Sequence, residues 1–339
     1  MLMDVKVCIN EPQVNRIGLE ALIGKYNYGR YCEDRSLPRE QSRRLIMDRL
    51  WVLITQPGFQ CIAAYSLSEE LLGLLLFRLS EWDSEHFGYN VAVIESIISN
   101  SMGYEQELEI VDVLIERFLT WCETSKIRFV SIRVPTLDLP VIHSLERWGF
   151  NYIESWIFNK FDLSKLRGLI KPSVRLRLAQ QGDLDYMVDY SRDAFSCHRF
   201  HADAHVTRNQ ANSLYHKWIL TAYKDPNQEI LVCDIDSKPV AFMIYYRSDL
   251  QQYFGLRFAM WKMALLDPQF RSKGLGSDFF VALMYHHQKE GLNVVDSGLT
   301  TRNVASLNLH TKLNFEVITT VVTFHRWFSG NTDLALAFK

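Results

Sequence analysis

Laid on itself at an offset of 165 residues, the chain sets FVSIRVPTLDLPVIHSLERWGFNYIESWIF (129–158) against VVDSGLTTRNVASLNLHTKLNFEVITTVVT (294–323). Each copy opens as an apolar strand, passes a polar turn, and runs a short amphipathic helix into Phe150 or Phe315. Each then ends as a second strand. Val141, Leu145 and Trp148 in one copy, and Leu307 and Leu313 in the other, keep helical spacing. Shared period and punctuation over so long a window outweigh the low identity. The chain is therefore expected to fold as two related halves.

At 339 residues there is enough chain for each half to bury its own core. An apolar content of 48% with 22% charged residues is that of a soluble globular protein. The net charge of −2 argues against a nucleic-acid partner. No apolar run reaches the ~18 residues of a membrane span, and the N-terminus lacks a basic-then-apolar leader, so a cytoplasmic protein is expected. The 6 cysteines are scattered without a Cys-x-x-Cys pair and read as small buried hydrophobes in a reducing compartment.

Charge, Gly168 and Pro172 interrupt the apolar pattern at DLSKLRGLIKPSV (162–174), which places domains at 1–168 and 173–339. The second half opens with the strand VRLRLA and a helix capped near Asp183, followed by the helix TRNQANSLYHKWILTAY. Three strands, EILVCDID, PVAFMIYYRS and FAMWKMALLD, lead to a glycine-containing turn, a helix and the repeated strand–helix–strand. That order predicts an α/β fold with a mixed sheet and helices on both faces.

The turn is LLDPQFRSKGLGSDFF (265–280). A strand stops at Leu266-Asp267-Pro268, and Arg271, Ser272, Lys273, Gly274, Leu275 and Gly276 lead into a helix. Two residues without a β-carbon let backbone amides approach a ligand. Phe280, Leu283, Met284 and His287 share one face of the helix, whose N-terminus offers unsatisfied amides and a favourable dipole to an anion. Arg271 and Lys273 add positive charge. The pattern suits a pyrophosphate, yet neither the dinucleotide fingerprint nor the P-loop is present.

This segment resembles motif A of the GNAT superfamily of acetyl-CoA-dependent N-acetyltransferases. NVASLNLHTKLNF (303–315) resembles motif B, with Asn303, Leu309, Lys312 and Phe315 in the expected positions. The resemblance implies that amides from Arg271 to Ser277 cradle the coenzyme A pyrophosphate. It implies that backbone near Leu265 and Leu266 pairs with the pantetheine arm and polarises the thioester, and that Asn303 contacts the arm or fixes the next turn. Where the family often has Tyr as general acid for the thiolate, this chain has His310. An imidazolium is a competent donor near neutral pH; in the other reading the position has no catalytic duty and water protonates the thiol. Asn314 replaces the usual Gly before Phe315, and Asn tolerates a left-handed backbone.

In the first half, the offset places QELEIV (106–111) against the turn and Leu145 against His310. With no anion turn, this half reads as a degenerate GNAT-like copy in a tandem, retained for packing or for shaping the acceptor pocket. SEWDSEHFGYNVAVI (80–94) and AFSCHRFHADAHVTRNQANSLYHKWI (194–219) resemble the bacterial TDP-fucosamine acetyltransferase group, which acetylates the amine of a nucleotide-linked amino sugar. By that likeness Trp82 and Asp83 line the acceptor, although a Trp-Asp pair at a strand end also serves structure alone.

His198, Arg199, His201, Asp203 and His205 lie close together in sequence. The spacing matches no zinc pattern, so no metal is expected. In the family this loop covers the acceptor. Arg199 is then a candidate to hold a phosphate or carboxylate, and His201 or Asp203 to take the ammonium proton, against a purely structural loop anchored by Phe200. His286 and His287 read as packing and surface residues. The expected chemistry is direct attack of a neutral amine on the thioester without a covalent cysteine. Acetyl-CoA is the donor and a small-molecule amine the acceptor. The alternatives are a peptide or protein acceptor, a longer acyl donor, and a non-catalytic acyl-CoA sensor; a homodimer is left open.

Overall fold

A computed structural model describes residues 6–10, 14–99, 103–168, 172–192, 194–271 and 273–328. The elements run β1 (Lys6–Ile9), α1 (Arg16–Ile23), α2 (Arg30–Glu33), α3 (Arg39–Thr55), β2 (Phe59–Tyr65), β3 (Leu71–Leu79), α4 (Glu81–Phe87) and β4 (Val91–Ser99). Next come α5 (Tyr104–Thr124), β5 (Phe129–Pro135), α6 (Leu139–Arg147), β6 (Asn151–Asp162), β7 (Arg175–Leu178), α7 (Leu184–Ser191), α8 (Arg199–Ala202) and α9 (Arg208–Lys224). The remainder is β8 (Gln228–Ile235), β9 (Lys238–Leu250), α10 (Gln251–Phe254), β10 (Leu256–Leu266), α11 (Leu275–Lys289), β11 (Val294–Thr300), α12 (Val304–Lys312) and β12 (Glu316–Trp327). No helix among the described residues is long and apolar enough to cross a membrane.

Two compact units are present, Met1–Glu154 with Thr320–Lys339, and Ser155–Thr319. Strand order in the first is β1-β2-β3-β4-β5-β12, antiparallel except for the β4–β5 ladder. In the second it is β6-β11-β10-β9-β8-β7, antiparallel except for β10–β11. Each unit is thus a mixed sheet with an apolar cluster on either face. In the first unit, Phe77 clusters with Phe118 of α5 and Leu145 of α6, and Leu74 with Leu19 of α1 and Leu50 of α3. In the second, Trp261 clusters with Phe279 and Leu283 of α11, and Phe242 with Met187 of α7 and Ile219 of α9. Each such side chain, fully buried, contributes ~1.5–3 kcal/mol.

The repeat holds element by element: β5, α6 and β6 have the same bounds as β11, α12 and β12 shifted by 165 residues. Gly149 and Asn314, equivalent in the two copies, both adopt a left-handed backbone, with φ of 73° and 59°. The last strands are exchanged. β12 pairs with β5 and β6 pairs with β11, so the chain changes units inside those strands. The stretch 162–174, expected as the join, instead carries Leu163 and Leu166 into the core of the second unit. Alternating side chains specify a strand and its faces but leave its partner to tertiary context.

α9 begins with a capping box in which Thr207 and Gln210 satisfy each other's amides. Before α7, Arg177 forks onto Asp183 and Asp234, at 2.5–3.0 Å, pinning β7 to β8 and to the start of the helix.

Candidate active site

The candidate site is the region where β10 and β11 part. Their parallel ladder joins Phe258–Met260 to Val294–Asp296. β10 then continues beside β9 to Leu266, and β11 beside β6 to Thr300. Past Met260 no ladder joins the two strands among the described residues. The register with β9 slips between Trp261 and Met263, a bulge at Lys262. Trp261 packs under α11, whereas Met263 and Leu265 pack under α9.

The strand ends at Asp267, whose Oδ1 accepts the Gln269 amide at 2.8 Å. The Arg271 side chain returns across the turn, its Nε donating to the Leu266 carbonyl at 3.2 Å. Lys273 lies with its ammonium 5.8 Å from the Phe270 ring centre. Gly274 caps α11 with φ of 85°, a conformation costly for other residues, and nothing lies within 4 Å of where its Cβ would stand. The first amides of α11, at Leu275 and Gly276, follow directly on this turn. Gly276 differs: a Cβ there would meet Leu266 and Leu309 at 3.6 and 3.7 Å, ordinary contacts. Asp278 in the first turn would oppose an anion, but its carboxylate is taken up by the Ser173 amide and hydroxyl. Lys312 of α12 donates to Ser277 Oγ at 3.2 Å. Ser272 lies outside the described residues.

Asn303 is the N-cap of α12, its Oδ1 accepting the Ser306 amide at 3.1 Å, so it fixes the turn after β11. His310 is only 4% exposed. Its Nδ1–H donates to the Ser306 carbonyl at 2.8 Å, leaving Nε2 to accept from the Ser297 hydroxyl at 3.0 Å. Burial pulls its pKa below the ordinary histidine value, against a smaller upward pull from the Ser306 carbonyl. The ring is therefore neutral near pH 7, and the imidazolium needed for the expected acid role is disfavoured.

The histidine loop divides by role. His201 Nε2–H donates to Asn212 Oδ1 at 2.8 Å, and its Nδ1 is buried with no hydrogen-bond partner among the described residues. Asp203, 4% exposed, accepts the His205 amide at 2.9 Å and faces His205 Nδ1 at 3.1 Å. The Arg199 guanidinium stacks 4.5 Å from the Phe200 ring centre. His198 sits 5.8 Å from the Trp156 ring of β6. Trp156 and Phe158 cross β11 at Gly298, where a Cβ would stand 2.3 Å from Trp156 Nε1. Among the described residues no group of three or more His, Cys, Asp or Glu is placed to hold a metal. On α11, His287 is fully buried and accepts from Trp261 Nε1–H at 2.9 Å.

Trp82 and Asp83 lie in α4, in the first unit. Asp83 accepts from the hydroxyl of Ser80, the residue that precedes α4, at 2.6 Å, and Trp82 stacks on His86 at 6.1 Å. Sequence reasoning missed Ser297 and Asn212, whose partners are far off in sequence and carry no local signal. It also passed over Lys262, although a lysine inside an apolar strand was a mark of the bulge.

A match to the Acetyltransferase (GNAT) family spans residues 196–315, taking in the histidine loop, the glycine turn and α12. That segment is a GNAT-family acetyltransferase domain. Enzymes of this family take acetyl-CoA as co-substrate. The protein is 21% identical to the spore coat polysaccharide biosynthesis protein SpsD of Bacillus subtilis, over 85% of this chain and 92% of that one. Among solved structures, it resembles a GCN5-related N-acetyltransferase from Sphaerobacter thermophilus (TM-score 0.62, 11% identity, 98% of this chain and 99% of that one). It also resembles a tandem GNAT protein from the clavulanic acid biosynthesis pathway (TM-score 0.58, 12% identity, 96% and 99%). These likenesses establish the tandem acetyltransferase fold.

Proposed function

We propose that this acetyltransferase moves an acetyl group from acetyl-CoA to the amine of a small molecule, and that the acceptor is a nucleotide-linked amino sugar. The observation that carries the donor half is the parting of β10 and β11 beside a helix capped by left-handed Gly274, with Arg271 and Lys273 at the turn. The amides of α11 hold the pyrophosphate, and the unpaired edge of β10 near Leu265 and Leu266 receives the pantetheine arm. The sugar half rests on the relationship to SpsD, a protein named for polysaccharide biosynthesis. Such acceptors belong to the cytoplasm, where we place the enzyme.

His201 fits the base better than Asp203 does. Asn212 fixes its tautomer with the Nδ1 lone pair available, whereas Asp203 is engaged by His205. The proton leaves the acceptor ammonium for His201 Nδ1, directly or through water, and the neutral amine attacks the thioester carbonyl. The attacking nitrogen gives its extra proton to solvent, the C–S bond breaks, and the thiolate takes a proton from solvent. Neutral His310 meanwhile holds β11 to α12 through Ser297. Arg199 is the candidate for the acceptor's phosphate. The first unit, the degenerate copy, carries no donor site.

Calorimetry with acetyl-CoA and mass spectrometry of a panel of amines test this. Wild type should bind one acetyl-CoA per chain and acetylate amino sugars. Arg271→Glu with Gly274→Asp should weaken binding at least 100-fold; a double variant as active as wild type would refute the donor site.

A further inference from the structure

A cavity of about 340 Å³ in the second unit is lined by Trp218, Asp225, Asn227, Gln228, Tyr246 and Lys262. It lies on the α9 side of the sheet, the face opposite α11. Lys262 is the bulged residue of β10, two positions past Met260, where the ladder to β11 ends. Lys262 thus brings one edge of the cavity close to the residue where β10 leaves its ladder with β11, and Trp218 and Asp225 set the other edge at the C-terminal end of α9. That size is at the lower end of small-molecule sites.

The lining has two chemistries. Trp218, held by a stack on Tyr215 with centroids 6.2 Å apart, and Tyr246, under the Lys262 ammonium at 4.8 Å, supply flat apolar faces. The floor is a built polar turn. Asp225 accepts from the Asn227 amide at 2.9 Å and from its Nδ2 at 3.1 Å, and from Gln228 Nε2 at 2.8 Å. Those bonds, the one from Gln228 first, lower the Asp225 pKa, and they leave the Asn227 and Gln228 amide oxygens as acceptors. An apolar amine would strip water from this floor without replacing its hydrogen bonds. A peptide would need an extended groove. A hydroxylated six-membered ring answers both parts, its C–H face against the indole and its hydroxyls on the carboxylate and amides.

We infer that this cavity, and not the α8 loop, seats the sugar ring of the acceptor, with the reacting amine directed toward Lys262 and the parted strands. The inference rests on the acetyl-transfer reading and adds the ring-binding residues to it.

The test uses acetyl-CoA with the amino hexose, free or nucleotide-linked, that releases most coenzyme A thiol among a panel of such sugars and simple alkylamines. Gln228→Trp and, at the exposed residue of the polar turn, Asn227→Trp each fill the cavity; Trp218→Leu removes the face and Trp218→Phe keeps one. The first three should raise the sugar KM at least tenfold, with acetyl-CoA affinity unchanged within twofold, and Trp218→Phe should restore most of the loss. Cavity-filling variants that fold with wild-type KM would overturn the assignment. So would a panel in which alkylamines are acetylated and no sugar is. Failure of the wild type to bind acetyl-CoA would instead strike the donor site.

Discussion

In the second unit, the helix that follows the first of the parting strands starts at left-handed Gly274 with Arg271 and Lys273 beside it. In the first unit the corresponding helix, α5, starts at Gly103 with Glu105 and Glu107 in its opening turn. Acidic residues there complement the helix dipole and repel an anion. At the next turn the caps also differ, Asn303 on α12 against Asp138 on α6. Asp138 is 3% exposed, and burial pushes its pKa up to about 7, with the Val141 amide pulling the other way and Glu107 adding to the rise. Its charge reaches Tyr26 and Tyr28, in the segment between α1 and α2. Deeper in, the first unit sets Leu145 and Ile132 where the second has His310 and Ser297. The apolar framework is common to both units, and what differs is the chemistry at the strand ends.

The largest expected effect breaks the first unit's side of that contrast. A carboxyl with its folded pKa raised favours folding while protonated, so its stabilisation is full below the unfolded value of 3.8 and is lost as pH rises through about 7. Asp138→Asn should keep the cap and remove the ionisation. Relative to wild type it should gain up to roughly 4 kcal/mol between pH 4 and pH 8. Urea unfolding at the two pH values measures this, and a wild-type-to-variant difference that stays constant with pH would disprove the raised pKa.

A middle-sized effect concerns the His310–Ser297 pair. His310→Leu leaves the Ser297 hydroxyl buried without its acceptor and should cost about 1–3 kcal/mol. Adding Ser297→Ala makes the pair apolar, as in the first unit, and should return about 1 kcal/mol of that, a coupling read from the double-mutant cycle. Burial lowers the His310 pKa, so its contribution is complete above the unfolded value of ~6.5 and is lost as pH falls below it. The deficit of His310→Leu should therefore shrink from pH 7.5 to pH 5. Turnover separates the roles: a positioning residue costs less than tenfold in kcat, whereas loss of a general acid costs about 10²–10⁴.

The repeat was legible because its signals are local. Apolar spacing, the cap positions and the left-handed Gly149 and Asn314 each constrain only a few neighbouring residues. The strand exchange was not, since β6 and β12 read as the same strand and hydrogen-bond ladders do not encode a partner. The offset also misaligned one region: Gln106–Val111 lies inside α5, so the counterpart of the glycine turn falls earlier, where residues 100–102 lie outside the described residues. The glycine turn announced an anion site, because backbone freedom and charge are properties of the residues themselves. The state of His310 depends on Ser297 and on burial beside Phe280 and Phe315, which no spacing reveals.

The smallest effect sharpens the contrast inside the turn itself. The sequence presents Gly274 and Gly276 as a doublet, but their requirements differ. Gly274 needs its left-handed backbone, whereas Gly276 sits in α11 with room for a methyl group against Leu266 and Leu309. Gly276→Ala should raise stability by about 0.5–1 kcal/mol, as replacing glycine inside a helix does. If the pyrophosphate approaches the Gly276 amide closely, the same methyl group stands in its way, and acetyl-CoA affinity should fall about tenfold while the melting temperature rises. Calorimetry on a Gly276→Ala protein reads both quantities. A gain in stability with unchanged affinity would confine the anion contact to Gly274 and Leu275, and a loss of stability would show that the helix start is more tightly packed than its contacts allow.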